Sequence, residues 1–222
     1  FEVPKELRRV LEHSLKDIRP ISFRNHGSNI PYQADFQISL LSLPSRLPGF
    51  PTEPYLFAPS SDAKIHKPIG SKKSIGICWA GNPTHQFDSD RSSTLRSFFK
   101  GLAEPGRTLF SLQFGLKIKD EDSSVIGPQG MVIDLGSQFS DFADTAAAIN
   151  QLDMVVTVDT GVAHLVGAMG KPCHLLLPFY GLDWRWGLSG TTTRWYPSMT
   201  LHRRLKEDCD WARVLQEISD QI

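Results

Sequence analysis

Cysteine is scarce in this sequence and poorly placed for cross-linking. Cys78, Cys173 and Cys209 are the 3 in 222 residues, and no CxxC pair occurs. An odd number at such spacings suggests neither a disulfide framework nor a zinc knuckle. Cys78 and Cys173 lie in apolar runs, where a thiol usually behaves as a small hydrophobe. A reducing, cytoplasmic setting is therefore expected. Excess charge is missing too, since 24 basic residues face 24 acidic ones. Nucleic acid or an anionic membrane as main partner would favour a basic patch, so neither is expected. Short clusters such as Arg203-Arg204 do not change that balance. No run of about 18 apolar residues is present, and no membrane span is expected. The GxSxG elbow, the Walker lysine loop and the GxGxxG fingerprint are absent as well, which weakens hydrolase, phosphotransfer and dehydrogenase readings. His85 and His174 lack partners at metal-ligand spacing, and no metal is expected.

What is present is the composition of an ordinary globular protein, 40% hydrophobic and 22% charged, long enough for one large α/β unit or two small ones. The chain opens at Phe1 in FEVP, which reads as a strand end and suggests a piece of a longer protein. Pro4 to Leu15 carries an apolar stripe at helical spacing, with Pro at its start. Short strands are expected over Ile18–Phe23 and Asp35–Leu43. Residues 44 to 71, rich in Pro, Ser and Gly, read as a long connection. The expected organisation is a partial α/β segment and linker over 1–70 and a Rossmann-like domain over 71–222. Beyond the boundary, apolar runs alternate with helical patterns. Strands are expected at 74–80, 108–113, 131–135, 154–158 and 172–177, with helices at 94–102, 139–152, 162–169 and 210–222. Asp141 and Asp144 sit where a helix dipole favours anions. Such alternation implies a parallel sheet with flanking helices.

Ligands of open parallel sheets bind beyond the carboxyl ends of the strands. Two loops there are polar. In VVTVDTGVAH (155–164) an apolar strand runs through Asp159 into a helix that Thr160 could cap, and Gly161 would let a ligand approach the backbone. The free amides of the first turn would then suit a phosphate, with His164 able to donate to it. The plainer alternative makes Asp159 and Thr160 a cap and His164 a satisfied, half-buried histidine. In WAGNPTHQFDSDRS (79–92), Asn82 and His85 stand beside Arg91, which could neutralise charge on a leaving group. Here the alternative is a solvated loop with Arg91 paired to Asp88 or Asp90. A third cluster, Asp183-Trp184-Arg185-Trp186 with Arg194-Trp195-Tyr196-Pro197, could stack on a base or sugar, or form an apolar lid over the last helix.

The stretches LLSLP at 40–44, PYL at 54–56, IGICWAGNPTH at 75–85, DRS at 90–92, FSLQ at 110–113, VDTGVAHLVGAMGKP at 158–172, DWRWG at 183–187 and RWYPSMTLHRR at 194–204 together resemble the donor-binding half of heptosyltransferase-like enzymes, glycosyltransferase family 9. The closer similarity is to the version found at the C-terminus of tetratricopeptide-repeat proteins. The resemblance implies a two-domain GT-B enzyme that transfers a sugar from a nucleotide-diphosphate-sugar donor to an acceptor, with inversion and without a metal or other cofactor. By that analogy Asp159, Thr160, Gly161 and His164 hold the diphosphate, Arg91 is a phosphate-binding cation, and Gln113 lies near base or ribose. His85, Asn82, Trp184 and Arg185 are further candidates for base or sugar contact. The acceptor-activating carboxylate of this family belongs to an early N-terminal loop that the first 70 residues do not supply, so no catalytic base is assigned. A tetratricopeptide region or a second chain could complete the fold. Two other functions stay open, a non-catalytic nucleotide-sugar-binding or scaffold module and a nucleotide-sugar epimerase.

Overall fold

A computed structural model describes residues 2–17, 24–25, 53–59, 65–66, 68, 70–115, 125–126, 132–208 and 210–222. In chain order the strands are β1 (Glu2–Val3), β2 (Arg24–Asn25), β3 (Lys73–Cys78), β4 (Arg107–Ser111), β5 (Val132–Asp134), β6 (Met154–Val158), β7 (Cys173–Leu177) and β8 (Met199–Arg203). The helices are α1 (Lys5–Ser14), α2 (Asp88–Arg91), α3 (Leu95–Leu102), α4 (Phe142–Gln151), α5 (Gly161–Ala168) and α6 (Ala212–Ser219). The expected strands over Ile18–Phe23 and Asp35–Leu43, and Cys209, lie outside the described residues.

β3 to β8 form one sheet, every neighbouring pair parallel, in the order β5-β4-β3-β6-β7-β8. The chain starts this sheet at its middle, runs outward through β4 and β5, then returns beside β3 and runs outward the other way. That reversal between β3 and β6 is the switch point of a doubly wound α/β fold, where neighbouring loops splay apart and leave a crevice. The α/β, Rossmann-like parallel sheet expected from the alternation is present. Its inner strands are buried on both faces: β6 (MVVTV) and β7 (CHLLL) have no exposed position, the pattern of a strand covered above and below.

Two apolar layers sandwich the sheet. On one face α4 and α5 bury Ala143, Ala146, Ile149, Ala163 and Val166 against Phe110, Val155 and Leu175. On the other, Leu95, Phe98 and Leu102 of α3 meet Val214, Leu215 and Ile218 of α6 over Ile75, Ile77 and Val156. The small residues of α4 and α5 let those helices lie close. A Cβ added at Gly167 would stand 2.3 Å from the Tyr196 ring.

β8 was not expected from the sequence. Its short MTLHR run follows Pro197-Ser198 and lies within the RWYPSMTLHRR stretch of the resemblance. It is nevertheless the sheet's edge, with five residues in register beside β7. Leu201 N–H donates to the Thr191 carbonyl at 2.8 Å, and Arg203 reaches the Gly190 and Trp186 carbonyls. The 186–191 segment thus covers the edge that would otherwise be open to pairing. Where β7 and β8 meet, His174 Nδ1 and His202 Nε2 are 2.9 Å apart and both rings are buried. Burial and the neighbouring ring push His174 down to about 4, and burial lowers His202 as well.

The N-terminal residues pack onto this unit. β1 and β2 pair in parallel on either side of α1. Val10 is fully buried in the α4–α5 layer, with Leu7 and Leu11 against it. Arg9 forms ion pairs with Asp141 and Asp144 at the start of α4. Residues 53–59 are strapped to the end of α5, where Tyr55 and Leu56 amides both donate to the Ala168 carbonyl. No helix among the described residues is long and apolar enough to cross a membrane.

Candidate functional site

At the switch point the carboxyl ends of β3, β4 and β6 surround a cleft of about 370 Å³. Gly81 and Asn82 from the loop after β3, Gln113 and Phe114 from the loop after β4, and Thr160 and Gly161 at the start of α5 form most of its wall. No charged side chain lines it among the described residues.

The α5 wall is made of backbone. Thr160 takes the extended N-cap conformation, φ −144° and ψ 175°, yet its hydroxyl makes no capping bond. Instead Thr160 Oγ1 lies 3.9 Å from the Cys78 thiol. The expected Thr160 cap is therefore corrected: the hydroxyl turns towards β3 rather than over its own helix. Ala163 and His164 amides return to the Thr160 carbonyl. The amides of Gly161 and Val162 have no acceptor among the described residues. Both residues line the cleft, so the positive end of the helix dipole faces open space. The Phe142 ring borders Gly161, 3.0 Å from where a Cβ would stand.

The opposite wall is a long loop held by side chains. Gln113 is buried, and its Oε1 accepts from the Trp79 and Ala80 amides at 3.2 and 3.0 Å while Nε2 donates to the Ala80 carbonyl at 3.0 Å. Those bonds use the amide that the resemblance assigned to base or ribose, and make Gln113 a positioning residue for the loop. Arg91 is committed in a similar way. Its Nε donates to Asp88 at 3.0 Å and its Nη1 to the Asp159 carbonyl at 2.9 Å, with only 15% of the side chain exposed. This is the Asp88 pairing weighed as the plainer alternative. Arg91 does not line the cleft, although its charge reaches the Cys78 thiol that does. Ser92 completes the brace by accepting from the Gly81 amide. The segment expected to be loop contains a single helical turn, α2, because Asp88 and Arg91 stand three apart and pair across it.

Asp159 and His164 face away from the cleft, towards the aromatic cluster. Asp159 is 8% exposed, and burial raises its pKa from the ordinary carboxylate value, with the Asp183 charge adding to the rise. The Trp186 indole N–H faces it without completing a hydrogen bond of normal geometry. His164 stacks on Trp186 with ring centroids 5.0 Å apart and meets the Tyr196 hydroxyl through Nδ1 at 3.2 Å. Burial holds it below its ordinary pKa. His164 is thus the half-buried, partnered histidine of the plainer alternative, and not a donor aimed into the cleft. Trp186 and Tyr196 are buried against α5. The lid expected over the last helix lies over α5 instead, because α6 belongs to the other face.

The remaining candidates are scattered. Asn82 lines the cleft while accepting from the Thr84 amide and hydroxyl. His85 is exposed and accepts from the Phe87 amide. Trp184 is 54% exposed and carries the Arg185 guanidinium over its ring, while Arg185 pairs with Asp183. Neither lines the cleft. Of the sequence candidates, then, Asn82, Gln113, Thr160 and Gly161 converge on one space. Phe114, Phe142 and Val162 join them and were missed, because a single phenylalanine or valine after a strand or in the first turn of a helix carries no motif.

A second groove of about 350 Å³ runs between α4 and β5, lined by Ile133, Leu135, Phe139, Ala147 and Ile65. Its Gln151 is used by the Ile65 amide and its Asp144 by Arg9, and His66 and Gln138 also line it. No three His, Cys, Asp or Glu side chains converge as metal ligands among the described residues. Compared with family models, curated proteins and solved structures, the chain matches none.

Proposed function

We propose that this chain is the donor-binding half of a glycosyltransferase, gripping the diphosphate of a nucleotide-diphosphate sugar in the switch-point cleft. The observation that carries the reading is the start of α5, whose Gly161 and Val162 amides open into that cleft without a capping side chain. Amides so placed bind anionic oxygens at a helix N-terminus. They also stabilise charge that grows as a sugar–diphosphate bond breaks, since they need no reorganisation when it does. Thr160 Oγ1 and Asn82 Nδ2 add neutral donors, and Gly161 keeps the approach clear. Arg91 acts from behind, holding the long loop to the Asp159 carbonyl. Transfer with inversion and without a metal follows the resemblance, and the acceptor's general base is assigned to no residue of this chain.

Calorimetry with ADP, GDP and UDP and their sugars tests the reading. Binding at micromolar to millimolar concentration is expected, and absence of binding by every compound would remove the proposal. Gly161→Val should weaken nucleotides at least tenfold and leave the melting temperature within a few degrees. Unchanged affinity would make the turn a structural feature only.

The uncharged lining favours a second reading. With Arg91 and His164 both engaged inside the protein, the cleft could hold a nucleotide sugar without turning it over. Transfer or donor hydrolysis by this chain would exclude that module; tight binding with neither would support it.

A further inference from the structure

We propose that Phe114 is the platform on which the nucleobase of the bound nucleotide stacks, so that the cleft reads the presence of a flat ring rather than its hydrogen-bonding edge. The proposal rests on the nucleotide reading above and adds a residue that neither motif nor resemblance marked.

Phe114 follows Gln113 directly and is 51% exposed while lining the cleft. The residue before it is among the most firmly held in the site. The side chain of Gln113 is bonded at three points to Trp79 and Ala80, and its N–H donates to Ser111 Oγ. A pinned backbone beside an exposed ring presents a platform, because the point from which the ring projects is fixed while its surface stays free. After the ring the chain turns at Gly115, φ +73°, where a Cβ would meet nothing within 4 Å. Positive φ favours glycine, and the lack of a side chain at this position keeps the edge of the ring uncrowded from Gly115 itself.

The chemistry of the walls narrows the occupant. The amides of Gly161 and Val162 suit anionic oxygens, whereas the β4 side offers an aromatic face and no charge, with Pro83 of the β3 loop also lining the cleft. A ligand that satisfies both needs a phosphate at one end and a neutral, polarisable ring at the other. Stacking on an aromatic face tolerates any base, because every base has a π-face. The Gln113 amide, which could have read a base edge, is already consumed by the loop. Weak discrimination between purine and pyrimidine therefore follows.

The test compares wild type, Phe114→Ala and Phe114→Trp in calorimetric titrations with pyrophosphate, ADP and UDP. Phe114→Ala should weaken ADP and UDP about tenfold or more while pyrophosphate affinity holds within twofold, and Phe114→Trp should restore both nucleotides. Equal loss for pyrophosphate and nucleotides would overturn the proposal, since Phe114 would then only shape the cleft. So would nucleotide affinity that ignores Phe114→Ala, or a wild type that binds pyrophosphate and no nucleotide; both outcomes leave the phosphate site standing. A wild type that binds neither overturns the stacking and the nucleotide reading together.

Discussion

Two helices on one face of the sheet start in opposite ways. α4 starts closed: Asp141 accepts from the Ala143 and Asp144 amides at 2.7 and 3.3 Å, Asp144 reaches back to the Ser140 amide, and Arg9 pairs with both carboxylates. α5 starts open, with a threonine at the N-cap whose hydroxyl is turned elsewhere and a glycine beside it. α3, on the other face, is also closed, by Thr94 accepting from the Ser97 amide. A side-chain cap contributes about 1 kcal/mol. Forgoing it at α5, at the switch point, leaves two amides facing a cleft. The difference teaches that α4 uses its N-terminus for stability and α5 holds its own in reserve.

Breaking the closed start should have the largest effect on the fold. Asp141→Ala removes acceptors for two amides and half of the Arg9 contact, and should cost about 1–2 kcal/mol. Thermal denaturation should register it as a drop of several degrees, with nucleotide affinity unchanged. A loss of affinity equal to that of a cleft variant would erase the distinction between the two starts.

Thr160→Ala reverses the pattern. Since its hydroxyl caps nothing, stability should change by less than about 0.5 kcal/mol. Affinity for a diphosphate should fall by roughly 0.5–1.5 kcal/mol, the worth of one hydrogen bond, or about two- to tenfold. A melting temperature lowered as far as by Asp141→Ala would show that the threonine is a cap after all.

The sequence announces the closed start more fully than the open one. Asp141 and Asp144 stand where a helix dipole wants anions, and both are used so. Strands β3, β4, β6 and β7 are legible because buried strands are continuous apolar runs, and the alternation with helices reveals the parallel sheet. β8 is not, since MTLHR alternates like any half-buried segment and its partner strand lies over twenty residues earlier. At the site, Asp159-Thr160-Gly161 locates the turn, but nothing in a one-dimensional string says which way a side chain faces. Arg91 and His164 carry the chemistry of ligands, and both are turned inward by partners distant in sequence, Asp159 and Tyr196. Phe114 has the converse character, an ordinary core residue by type that the fold leaves at the rim.

The finest test concerns the carboxylates that stand at the two starts. Asp144 is partly buried, which alone would raise its pKa, yet the Ser140 amide and Arg9 hold it below the usual range. Its contribution is present above the unfolded pKa and is lost as acid protonates it. Asp159 has the opposite sign. Burial raises its pKa, so the folded state binds its proton more tightly than the unfolded state does. Its contribution to stability is present below the unfolded pKa and declines as pH climbs through the raised folded value. Above its raised pKa Asp159 is therefore a buried charge kept at a cost, with Asp183 adding repulsion. Asp159→Asn should stabilise the protein by about 0.5–1 kcal/mol at a pH where Asp159 is ionised, and the gain should fade as the pH is lowered through the raised pKa. Melting curves of both proteins across pH 4 to 8 would show it as a gap that widens upward. A gap of the other sign would mean that the charge supports α5 as Asp141 supports α4, and the contrast between the two starts would fail at its most sensitive point.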